Sequence, residues 1–80
     1  MKRADKRIDF SLTHAMMAMQ DHRLDKELVA RAIRNPSRTR RSKNARRVLF
    51  GKDLSSRRRL VVVVEESADR LLVITVWIKQ

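Results

Sequence analysis

Cysteine is absent from this chain, which removes disulfide frameworks and thiolate metal sites together. The two histidines, His14 and His22, are the remaining soft donors, and without clustered carboxylates they make a poor metal site. With one glycine no glycine-rich loop can cradle a phosphate, and no G-x-S-x-G elbow is present for serine chemistry. No stretch reaches the roughly 18 apolar residues that a membrane span needs. The charged start MKRADKRIDF is not followed by an apolar signal region. The expectation is a cytoplasmic protein with no metal, no cofactor and no membrane contact.

Acid is scarce as well, and where it is scarce carries the main functional signal. Between Arg31 and Arg59 stand twelve basic residues and one acid, Asp53, so this segment holds the whole net charge of +11. The rest of the chain balances. Such a segment repels itself unless an anion lies against it. Arginine outnumbers lysine in it, and the planar guanidinium fork suits phosphate and base stacking, so nucleic acid is the first choice of partner. A solvated basic face or an acidic protein partner is the plainer reading. Arg38, Arg40, Arg41, Lys43, Arg47, Arg57, Arg58 and Arg59 are the candidate nucleic-acid contacts.

Eighty residues predict a single domain, 1–80, with a thin core, since a chain this short buries only about 60% of its unfolded surface. The core is expected around a hairpin of two apolar runs, Leu60 to Val64 and Leu71 to Ile78, joined by a polar loop, Glu65 to Arg70. Ahead of it, Met1 to Arg7 is expected to fray and Ile8 to Phe10 to form a short edge strand. Ser11 is the expected N-cap of a first helix reaching about His22, with Leu12, Ala15, Met16 and Met19 at helical spacing. Asp25 caps a second helix through Leu28, Val29, Ala32 and Ile33, which Asn35 and Pro36 stop. Ser37 to Lys43 reads as a loop or an exposed edge strand, Arg46 to Lys52 as a strand, and Asp53 to Ser56 as a turn. This order predicts an α+β fold with a two-helix hairpin on a three- to four-stranded antiparallel sheet. Met16 and Met19 are expected to pack into that sheet. Trp77 either stacks on a base or closes the end of the core, and the core is the favoured place.

FSLTHAMMAMQDHRLDKELVARAIRNP, followed after the basic strand by RLVVVVEESADRLLVITVW, resembles a family of small domains of unknown function (the 4258 type). The family pattern runs H-A-x-x-R-M, then R-G-I, then an acidic helix ending N-P, then V-I-T-V-Y. His14, Ala15, Met19, Asn35, Pro36, Thr75 and an aromatic at Trp77 match, from Phe10 to Trp77 in all. Ala18 and His22 stand where the pattern has arginines. That family is similar in layout to the BrnT and RelE toxins of bacteria. The resemblance implies a RelE-like fold and a small basic endoribonuclease of a toxin–antitoxin system, acting on free or ribosome-bound RNA and held inactive by an acidic antitoxin.

Metal-free RNA cleavage needs a base for the 2′-hydroxyl proton, an acid for the leaving oxygen and cations around the phosphorane. His14, His22 and Arg46 are the candidate catalytic groups, with Thr75 added from the matching strand. The histidines stand eight residues apart on one expected helix, about 80° around its axis and roughly 12 Å along it, so they line one side without touching. Each also has a structural role that outweighs catalysis taken singly: His14 packed at the sheet edge, His22 facing the last carbonyls of the helix. The alternative to an enzyme is a non-catalytic RNA-binding or regulatory module, or a DNA-binding one using the two helices as a helix-turn-helix. The break between those helices lacks glycine, and most of the charge follows them.

Overall fold

The computed structural model describes residues 3–43, 46–55 and 57–80. After a 3-10 turn at Arg3–Asp5 come strand β1 (Arg7–Asp9), helix α1 (Thr13–Asp21), helix α2 (Lys26–Arg34) and strands β2 (Arg38–Arg41), β3 (Arg47–Ser55), β4 (Arg58–Glu66) and β5 (Arg70–Lys79). The strands form one sheet in the order β1-β5-β4-β3-β2. The α+β layout is as expected, but the sheet is mixed and has five strands among the described residues. β1 runs parallel to β5, with Arg7 opposite Arg70 and Asp9 opposite Leu72, while the other pairs are antiparallel. This pairing puts Ile8 beside the fully buried Leu71 and brings the Arg70 guanidinium to the Asp9 carboxylate at 2.9 Å. Composition and periodicity carry no information on such a distant partner, and three residues are too few to show it.

Both helices cover one face of the sheet, α1 over β5 and α2 over β3 and β4. The core between them holds Ala15 and Met19 of α1, Val29, Ala32 and Ile33 of α2, and Val48, Phe50, Leu60, Val62, Val64, Leu71, Val73 and Val76 of the sheet. Each fully buried Val or Leu here is worth about 1.5–3 kcal/mol relative to exposure. Along β5 the alternation slips once: Val63 faces Thr75 but Val64 faces Val73, so Ile74 is an extra residue in a β-bulge. That slip explains how Val73 and Val76, three apart, both reach the core.

Several local expectations change. α1 is capped by Leu12, whose side chain makes no capping bond, while the Ser11 N–H donates to Asp9 Oδ1 at 2.8 Å. Met19 is buried, but Met16 is 38% exposed, because Ala15 and Met19 share the helix face that meets the sheet and Met16 lies beside it. α2 does begin at Asp25, whose carboxylate accepts from the Leu28 N–H at 2.7 Å. The expected turn over Asp53 to Ser56 is mostly strand, since β3 continues through Ser55; Ser56 itself lies outside the described residues. Arg3 to Arg7, expected to fray, is held to the sheet. Arg3 and Lys6 both reach the Glu66 carboxylate at 3.1 Å, and Lys6 Nζ also donates to the Ser67 carbonyl at 2.8 Å. Met1 and Lys2 lie outside the described residues.

Candidate nucleic-acid interface

The helices leave the other face of the sheet open, and its composition follows from strand alternation. On β4, Leu60, Val62 and Val64 point into the core, so Arg59, Val61, Val63 and Glu65 point away from it. Register carries this across the sheet: Val61 pairs with Gly51 of β3 and with Trp77 of β5, Arg59 with Asp53 and Lys79, and Gly51 with Arg38 of β2. A groove of about 510 Å³ lies on this face, lined by Arg38, Arg40, Leu49, Gly51, Arg59, Val61, Trp77 and Lys79. Its floor is apolar and its rim cationic.

Trp77 is the largest apolar side chain in this groove and is 36% exposed. The favoured place for it, closing the core, is therefore corrected: its register partner Val61 and its neighbours Thr75 and Lys79 are all on the open face. The signal was present in the sequence. Thr75, Trp77 and Lys79 alternate with Val76 and Ile78, and two polar residues flanking an aromatic at period two mark the solvent side. Lys79 was missed for the same reason, and Leu49 and Val61 because a groove floor needs register to be assembled.

A second groove, of about 330 Å³, adjoins the first through Arg59 and Lys79 and adds Asp53, Ser55, Arg57, Arg58 and Gln80. Between the two, Arg59 is held at two points. Its Nε–H donates to Asp53 Oδ1 at 2.9 Å, and its stem lies over Gly51, where a Cβ would stand 3.1 Å from Arg59 Cδ. Glycine at 51 thus lets the arginine lie flat on the sheet.

Of the eight expected nucleic-acid contacts, Arg38, Arg40, Arg57, Arg58 and Arg59 line these two grooves. Arg47 shares the open face through its pairing with Glu65, and its Nε is enclosed with no hydrogen-bond partner among the described residues. Arg41 turns to the helix side, 3.6 Å from Glu66 Oε1. Lys43 is exposed beyond the end of β2. The four candidate catalytic groups are not brought together on one surface. His14 and His22 are exposed at the start and the C-cap of α1, in the helical layer, whereas Thr75 faces the open side of the sheet and Arg46 stands exposed just before β3. The α2 end is closed by Lys52, whose Nζ donates to the Asn35 carbonyl at 2.8 Å.

Glu66 is the most perturbed acid. The Arg3 guanidinium, bonded to it, draws its pKa down to about 2 against the opposing effect of burial, with Lys6 adding to the pull. Asp9 is also lowered, mainly by the Ser11 hydroxyl and N–H. Both acids bind cations or donors of their own chain. No helix among the described residues is long and apolar enough to cross a membrane.

A family model described as "Domain of unknown function (DUF4258)" matches residues 12–78, from the cap of α1 to within one residue of the end of β5. No curated protein and no solved structure matches the chain.

Proposed function

From a chain that belongs to the family of the domain of unknown function DUF4258, we propose a cytoplasmic protein that binds single-stranded RNA on the open face of its sheet. One observation carries the reading: the exposed Trp77 ring and the cations Arg38, Arg40, Arg59 and Lys79 share one groove with an apolar floor. Single strands are held in this way by proteins at large, with bases stacked on aromatic rings of a sheet and the backbone tracked by positive charge. The adjoining cations Arg57 and Arg58 extend the track towards the β3–β4 turn.

The likeness to BrnT and RelE toxins, with a RelE-like fold, extends this proposal to cleavage and to an acidic antitoxin lying on the same surface. The layout of helices on one face of a sheet supports the extension. Binding without cleavage is nevertheless the function proposed, because the candidate acid–base groups His14 and His22 stand on the helical layer and not in the groove.

The test is a salt titration of affinity for a short single-stranded RNA, with DNA of the same sequence beside it and the RNA checked for cleavage. Each phosphate contact contributes a log–log slope of about −0.7 on single strands. Replacing Arg57 and Arg58 by Gln should flatten the slope, and Trp77→Ala should weaken binding by about 1–3 kcal/mol with the slope kept. A Trp77→Ala protein that binds as the wild type does would remove the groove from the proposal. Stronger binding to DNA would reassign the partner.

A further inference from the structure

The pinned arginine gives the groove a way to tell one base from another. We infer that Arg59, positioned by Asp53 and Gly51, reads a guanine stacked on Trp77; this rests on the RNA-binding reading above. Arg59 and Trp77 are diagonal neighbours on β4 and β5, since Val61 pairs with Trp77 and Arg59 with Lys79. Diagonal neighbours on one sheet face stand roughly 7–8 Å apart, which lets a purine lying on one ring reach the other side chain with its edge.

The donor geometry selects the base. With Nε–H given to Asp53 Oδ1 at 2.9 Å and the stem lying over Gly51, the guanidinium is restrained at two points, and no described residue engages the terminal Nη1 and Nη2 groups. A parallel pair of N–H donors matches two adjacent acceptors, and guanine offers N7 and O6 on one edge of a large stacking surface. Adenine puts an amino donor beside its N7, where it meets the arginine donors head on. A free surface arginine has the charge for phosphate but no fixed plane. The ion pair with Asp53 and the glycine beneath the stem narrow the planes it can take, a restriction that a purely electrostatic groove does not need.

The experiment measures affinity for a uridine tract and for the same tract carrying one central G, A or C. A single G is expected to bind about five- to a hundredfold more tightly than a single A, the discrimination ordinary for one bidentate arginine contact. Arg59→Lys keeps the charge and should bring the G-to-A ratio close to one. Asp53→Ala should lower the ratio while affinity for the plain tract rises, because a negative charge leaves the basic surface; a merely structural aspartate would lower both, and its loss would show in the melting curve. Equal binding of all four tracts, or a ratio that survives Arg59→Lys, overturns this inference and leaves RNA binding standing. A protein that binds none of the tracts overturns both.

Discussion

Glu66 joins parts of the chain that lie 63 residues apart, through its two contacts with Arg3. Its pKa in the folded protein, about 2, is below its ordinary 4.5, so folding favours the ionised form. The stabilisation is complete above about pH 4.5 and is lost as the pH falls from there towards 2. Part of the shift is screened by solvent, so Glu66→Gln should cost on the order of 1–2 kcal/mol at neutral pH and flatten the acid limb of the stability curve. Unfolding curves at several pH values check this, and an unchanged acid limb would mean that the clasp contributes nothing. His14 makes a contrasting case. It is exposed near the start of α1, so His14→Ala should change stability by no more than about 0.5 kcal/mol and leave RNA affinity as it is. Any cleavage activity that then falls by about 10² to 10⁴ would place His14 in the chemistry; cleavage at the wild-type rate would release it from that role.

At the scale of elements, α1 ends in a way that a residue other than glycine makes costly. Arg23 has a φ of 56°, the left-handed region, and the surrounding bonds are those of a Schellman cap: Arg23 N–H donates to the Gln20 carbonyl and Leu24 N–H to the Met19 carbonyl. Arg23→Gly should relieve about 0.5–1 kcal/mol and raise the melting temperature by several degrees, since about 1 kcal/mol shifts a domain of this size by roughly 4–8 °C. A lower melting temperature would show that the side chain itself is needed. The same turn illustrates what the sequence could convey. The helices, the Asp25 cap, the Asn35 stop and the two apolar strands were legible because periodicity and capping chemistry are local. Parallel β1, the extra residue at Ile74 and the length of β3 were not, because each is decided by a partner strand far along the chain. For the site, the arginines were legible as charge. Their division between the open face and the helix side, with Arg38 and Arg40 on one and Arg41 on the other, depends on where β2 meets β3.

Over the whole molecule, the net charge of +11 sits on a body whose helical face is closed and whose other face is open. A short Asp- and Glu-rich peptide should therefore compete with RNA, more strongly at low salt, as charge complementarity between exposed surfaces is screened. Fluorescence of a labelled RNA with peptide added would follow this, and RNA retained on a peptide-saturated protein would separate the two surfaces.

β5 is the last strand of the sequence and yet an inner strand of the sheet, flanked by β1 and β4. A chain still being translated therefore has no finished sheet: β1 waits without a neighbour, and β4 has one edge unpaired, until Arg70–Lys79 has emerged. Trp77 is in that same strand. Incomplete translation products of this strongly basic chain would therefore lack the finished sheet and the Trp77 ring together.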